Sequence, residues 1–186
     1  MIRAFIAIPF EDNIKSEVLK IIDSLRSSVD GNVKWVARDN IHLTLKFLGN
    51  IDDQQIKLVK DTMDGLKDIK AFKIDLCQIG GFPHILKPRV IWIGVKQQEQ
   101  IKLLFDRIEA RISDINREDR AFSAHITIGR VKNNINGNKL EKIKKLWDDK
   151  IICSSIVKRI VLFQSILSPK GAVYQPIYHV DLKKEV

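Results

Sequence analysis

Apolar positions follow two different rhythms along this chain. Residues 2–8 (IRAFIAI) are apolar almost throughout and end at Pro9, the pattern of a strand. From 11 to 29 the spacing lengthens, and Ile14, Val18, Ile21, Ile22 and Leu25 mark one face of a helix. A short strand is predicted at Val33–Val36, and a longer one at 41–48 (IHLTLKFL), closed by Gly49-Asn50. Asp52 or Asp53 then caps a helix whose Ile56, Val59, Met63 and Leu66 point inward. The second half reads similarly. A strand at 71–79 precedes a loop, GGFPHILKP, and a strong strand follows at 89–95. Ile101, Leu104, Phe105, Ile108 and Ile112 mark a third helix. A strand at 122–129, a polar surface loop at 131–139, a short helix at 138–148, and strands at 151–167 and 172–181 complete the chain. Strands and helices mix without a steady βαβα order, which predicts an α+β fold with antiparallel sheets. No segment has linker composition, so residues 1–186 are expected to form one domain.

Composition sharpens this only modestly. With 45% hydrophobic residues, the 186-residue chain can fill a substantial core. Lys and Arg number 32 against 23 Asp and Glu, a formal charge of +9. That balance favours polyanionic partners, nucleic acid first, although a Lys-rich surface that serves solubility gives the same total. The first apolar run is too short for a membrane span and lacks a cleavage site, so a cytoplasmic protein is expected, with no membrane partner. Cys77 and Cys153 sit among apolar residues outside any CxxC pair and read as reduced thiols.

The chemistry lies in a repeat. His42-Leu43-Thr44-Leu45 matches His125-Ile126-Thr127-Ile128, 83 positions later, and both lie in predicted strands. Side chains alternate faces along a strand, so His42 and Thr44 share one face, opposite Leu43 and Leu45. His125 and Thr127 do the same against Ile126 and Ile128. One such tetrapeptide would follow any given histidine about once in a hundred by chance. In this chain it follows two of only four histidines, one in each half. If the strands adjoin, two imidazoles and two hydroxyls converge on one cleft. That set suits phosphodiester cleavage: one imidazole takes a proton from water, and the other gives one to the departing oxygen. Histidine, with an ordinary pKa near 6.5, can supply both forms near neutral pH. The threonine hydroxyls can hold the non-bridging phosphate oxygens. No metal or other cofactor is required, and no HExxH, GxSxG or phosphate-binding GxxxxGK[ST] motif occurs.

Lys46 is in strand phase with His42 and Thr44, and is expected to face the cleft and bind phosphate. Arg130 follows the second motif out of phase, and reaches the phosphate only if the strand ends or twists there. Phe47, Phe82, Trp92 and Tyr174 are the aromatic residues available to stack on a base, with Phe47 and Trp92 assigned to the core by their apolar strands. His84 and His179 lack the threonine and are read as structural or surface residues.

On these motifs, the chain resembles the two-histidine phosphoesterases, and among them the RNA 2′,3′-cyclic phosphodiesterases, also called 2′-5′ RNA ligases. The resemblance runs through RAFIAI at 3–8, NIHLTLKFLGN at 40–50, RVIWIGV at 89–95, AHITIGRVK at 124–132 and SPKGAVYQPI at 168–177. One departure is Ala124, where the family often has proline. The resemblance implies two pseudo-symmetric lobes, each an antiparallel sheet with helices packed outside, around a central cleft. It implies hydrolysis of a terminal 2′,3′-cyclic phosphate to a 2′-phosphomonoester, with His42 as proton donor, His125 as proton acceptor, and Thr44 and Thr127 holding the phosphate. RNA ends, tRNA fragments among them, would be the substrates of a monomer, and some members also join RNA ends without ATP. The competing expectations are an RNA end-binding protein without turnover and a phosphodiesterase for a small cyclic nucleotide.

Overall fold

The structure, a computed structural model, describes residues 1–117, 121–133, 135–148, 150–169 and 171–184. Its elements in chain order are β1 (Ile2–Pro9), α1 (Asp12–Ser28), β2 (Val33–Trp35), β3 (His42–Ile51), α2 (Asp53–Asp64), β4 (Phe72–Phe82) and β5 (Val90–Val95). After these come α3 (Gln98–Ile112), β6 (His125–Val131), α4 (Gly137–Trp147), β7 (Ile151–Val157), β8 (Arg159–Ser168) and β9 (Gly171–Asp181). They form two antiparallel sheets, ordered β3-β1-β8-β9 and β2-β6-β5-β4-β7. The fold is α+β, with two pseudo-symmetric lobes. In the symmetry β1 corresponds to β5 and β3 to β6, while the carboxy-terminal β8–β9 hairpin completes the first sheet.

The helices are exchanged between the lobes. α1 follows a strand of the first sheet but packs with α4 on the second, against β6 and β7, while α3 packs with α2 on the first. α1 buries the stripe its spacing predicts, Ile14, Val18, Ile21, Ile22 and Leu25, and α3 buries Ile101, Leu104, Ile108 and Ile112 while Phe105 stays half-buried, stacked on Phe122. Asp52 caps α2, accepting from the Gln55 N–H while the Gln55 side chain accepts from the Asp52 N–H. Burying aliphatic surface stabilises the fold by about 25 cal/mol per Å², so the exchange of helices ties the two lobes together through their cores.

Several boundaries differ from expectation, β6 among them, which runs His125–Val131 and not 122–129. β3 continues through Gly49 and Asn50 to Ile51, because Gly49 takes a positive φ of 68° beside a shift in register and the strand resumes. β4 continues through Gly80 and Gly81. The Trp92 indole of β5 lies across Gly80, where a Cβ would meet it at 2.0 Å, so the glycine belongs to the sheet because the ring needs its space. The stretch 151–167 is two strands that part at Lys158 and enter different sheets.

Candidate active site

The motif strands β3 and β6 approach each other where the two sheets meet. Leu43, Leu45, Ile126 and Ile128 are buried on the helix side, as alternation predicts. His42, Thr44 and Thr127 lie on the opposite side, where they line a cavity of about 350 Å³ with Arg130 and Tyr174. His125 is the next same-face residue beyond Thr127 on β6, near enough that its charge acts on His42.

Both imidazoles are held in the same way. His42 Nδ1 lies 2.7 Å from the Asn40 carbonyl, and His125 Nδ1 lies 2.7 Å from the Ser123 carbonyl, each two residues upstream. A carbonyl can only accept, so each Nδ1 carries hydrogen and donates. Nε2 is thereby left as the proton-transferring nitrogen of both rings. His42 Nε2 is 3.0 Å from Thr44 Oγ1, whose hydroxyl donates to it in the neutral ring. Aromatic packing fixes the planes: Phe5 and Tyr174 flank His42 at 4.9 and 5.3 Å between centroids, and Phe82 meets His125 edge-on at 5.1 Å.

The residue before the second histidine is also fixed. The Gln98 side chain, at the start of α3, accepts from the Ala124 N–H at 3.1 Å and donates to its carbonyl at 3.2 Å. Proline at 124 would lack that N–H, so the departure from the family pattern is matched by a glutamine clamp.

Burial pushes the His42 imidazole down to about 4 from its ordinary 6.5. The Asn40 carbonyl acts in the opposite sense, and the Arg130 and His125 charges lower it further. His42 is therefore neutral near pH 7 in the unliganded protein. The unfolded chain takes up the proton first as pH falls, so stability is intact above 6.5 and is lost between 6.5 and about 4. We expect this loss to reach about 3 kcal/mol, at 1.36 kcal/mol per unit. Urea unfolding of wild type against His42→Gln across that window checks it; equal slopes in the two proteins would contradict it.

Of the two basic candidates, Arg130 lines the cavity and Lys46 does not. In the β1–β3 register Ile6 pairs with Lys46 and Ala7 with Thr44, leaving Leu45 as an extra residue in a β-bulge. The bulge reverses the phase, so Lys46 does not face the cleft. It is buried on the helix side, its ammonium paired with Glu109 of α3. A second bulge stands at the equivalent point of β6: Ile91 pairs with Gly129 and Trp92 with Thr127, leaving Ile128 extra. This one brings Arg130 into phase with His125 and Thr127, and Arg130 lines the cavity. By symmetry Phe47 is the counterpart of Arg130, and it too reaches the cleft, 45% exposed, rather than the core. A bulge depends on the neighbouring strand and leaves no signal in the motif itself. His84 and His179 are exposed and stand apart from the cleft. Among the described residues, no three His, Cys, Asp or Glu side chains gather as a metal site would require.

Comparison with known proteins follows the two halves. A family model described as LigT-like phosphoesterase matches residues 8–92 and again 93–174, one copy for each motif. The chain is 32% identical over 176 residues to the RNA 2′,3′-cyclic phosphodiesterase of Archaeoglobus fulgidus, covering 94% of this chain and 97% of that one. It is 34% identical to the enzyme of the same name from Methanocaldococcus jannaschii, covering 94% and 98%. The fold matches the crystal structure of the protein TT0787 of Thermus thermophilus with a TM-score of 0.80 at 22% identity, covering 99% of this chain and 100% of the other.

Proposed function

The chain belongs to the LigT-like phosphoesterase family, and we propose that it is an RNA 2′,3′-cyclic phosphodiesterase working by acid–base catalysis between His42 and His125. The observation that carries this is the matched pair of imidazoles on β3 and β6, each with Nδ1–H committed to a backbone carbonyl and Nε2 left for proton transfer. His125 Nε2 takes a proton from water as its oxygen bonds to phosphorus. The bond to the 3′-oxygen breaks, His42 Nε2–H protonates that oxygen, and a 2′-phosphomonoester remains. Thr44 and Thr127 hydroxyls and the Arg130 guanidinium hold the non-bridging oxygens, where negative charge grows. With an RNA 5′-hydroxyl in place of water, the same displacement yields a 2′-5′ linkage without ATP. The acting unit is the two-lobed domain 1–186, a monomer in the cytoplasm, where the unpaired Cys77 and Cys153 would stay reduced. RNA ends, tRNA fragments among them, are its substrates. Among the described residues, no helix is long and apolar enough to cross a membrane.

The low pKa of His42 favours one second reading, with the two roles exchanged. For His42 to act as the acid, the bound phosphate anion must raise its pKa and move the shared proton onto it. A substrate with sulfur in place of the 3′-oxygen separates the two. Sulfur departs without a proton, so the variant lacking the acid recovers and the variant lacking the base does not. Recovery of His42→Ala supports His42 as the acid, and recovery of His125→Ala reverses the roles.

The experiment for the activity itself is incubation of an oligonucleotide bearing a 2′,3′-cyclic phosphate with the purified protein and excess chelator. The expected product is the 2′-phosphomonoester, formed at an unchanged rate when chelator is added. A 3′-phosphate product, or a rate abolished by chelator and restored by metal, would contradict the scheme.

A further inference from the structure

We infer that the RNA chain leading to the cyclic phosphate lies along a basic track, which leaves the catalytic cleft over Lys132 and continues across Lys87 and Arg89. The inference rests on the RNA reading above and adds where the polynucleotide is held. Three cavities adjoin. The catalytic cleft shares Phe47, Arg130, Ala172 and Tyr174 with a neighbour of about 550 Å³. On its other side it shares Lys132 with a groove of about 760 Å³ that also holds Lys87, Arg89, Pro83 and Ile135.

Charge sets these three apart from two further cavities, which carry Glu11 and Asp181 in one and Glu109 and Asp114 in the other. The walls of the three carry Arg3, Lys34, Lys87, Arg89, Arg130 and Lys132, and no Asp or Glu among the described residues that line them. None of the six cations takes part in an ion pair among the described residues. Two cations of another cavity are answered by carboxylates. In the cavity beside Pro9, Glu11 pairs with Lys158 and Asp181 with Arg159.

The register concentrates this charge. Lys34 of β2 stands directly opposite Arg130 of β6, and residues so paired point to the same face. Like charges in that position repel and weaken the sheet. Lys132 follows two residues on from Arg130, about 7 Å further along. The Val131 N–H donates to the Arg89 carbonyl at 2.9 Å, which holds the entry to β5 against the exit from β6 and brings Arg89 beside Lys132. An uncompensated row of cations that begins at the reacting phosphate is what a polyanion continuing from that phosphate would neutralise. Cyclic mononucleotides reach only the first part of the row, so the track selects oligonucleotides.

The test uses the double variant Lys87→Glu/Arg89→Glu, in which neither position touches the reacting phosphate. Hydrolysis of a decanucleotide 2′,3′-cyclic phosphate is compared with that of a nucleoside 2′,3′-cyclic monophosphate from about 50 to 200 mM salt. Binding of a 3′-phosphate decanucleotide is followed by fluorescence anisotropy. The variant is expected to raise KM for the decanucleotide about tenfold or more, and to weaken decanucleotide binding equally. It should flatten the logarithmic salt dependence by about 1.4, at about 0.7 for each lost phosphate contact. Mononucleotide hydrolysis should stay at the wild-type level. Unchanged decanucleotide binding overturns the track, as does an equal loss on both substrates. A wild-type protein that binds the decanucleotide with the expected salt dependence but hydrolyses neither substrate would instead sink the catalytic reading and leave the track standing.

Discussion

Replacing His42 or His125 by alanine is expected to lower hydrolysis of a terminal 2′,3′-cyclic phosphate by about 10²–10⁴-fold, the range one positioned acid or base contributes. Each ring has its Nδ1–H committed to a carbonyl and its plane fixed by aromatic neighbours, so no other nitrogen of the pair can substitute. The two rings handle one proton between them. The double variant should therefore fall little below the worse single variant, instead of multiplying the two losses. Single-turnover rates at saturating substrate measure this, with thermal unfolding to show that each variant is folded. A His42→Ala or His125→Ala protein that keeps wild-type turnover would remove the mechanism.

The second large effect is on stability. Glu109→Ala is expected to destabilise the fold by about 3 kcal/mol, because it leaves the Lys46 ammonium buried without its partner. The figure takes the lower end of the range for broken buried pairs, since the Glu109 side chain is 24% exposed and water relaxes part of the cost. Replacing both residues by apolar ones of similar volume, Lys46→Met with Glu109→Leu, should restore stability to near wild type. The folded fraction of every variant should keep its kcat, since Lys46 lies on the side of β3 away from the cleft. Denaturant unfolding together with kinetics decides the matter. Lost turnover with full stability in Lys46→Met would return Lys46 to the phosphate.

Lys46 also marks where the sequence stops being legible. Alternation along 42–45 and 125–128 assigned two histidines, two threonines and four buried aliphatics to their faces, because within four residues of a strand the faces follow from period two alone. At the fourth residue, Leu45 in one and Ile128 in the other, both strands carry a bulge. Its position follows from how β1 and β5 pair with them, a contact between segments far apart in the chain. Strict phase therefore puts Lys46 in the cleft and admits Arg130 only if the strand ends or twists, while apolar surroundings assign Phe47 to the core. The structure buries Lys46 on the helix side and brings Arg130 and Phe47 into the cleft. Helix spacing located α1 and α3 well, since each stripe is local. The sheet each helix covers was not legible, because that depends on the crossing of the lobes. Gly80 and Gly81 read as a loop on composition, and only the Trp92 ring lying over Gly80 explains why they belong to a strand. Ala124 stood out from the family pattern without a reason until Gln98 supplied one.

Two imidazoles flanking one phosphorus is the arrangement that everything else assumes. NMR titration of both rings, with ¹⁵N-labelled histidine, as a nucleoside 2′-monophosphate is added, puts it to the test. Both Nε2 signals should move together with a single stoichiometric ligand, and the His42 pKa should rise from about 4, since an anion placed between the rings favours their protonated forms. Movement of one ring alone, or separate ligand affinities for the two, would show that the histidines do not share a phosphate.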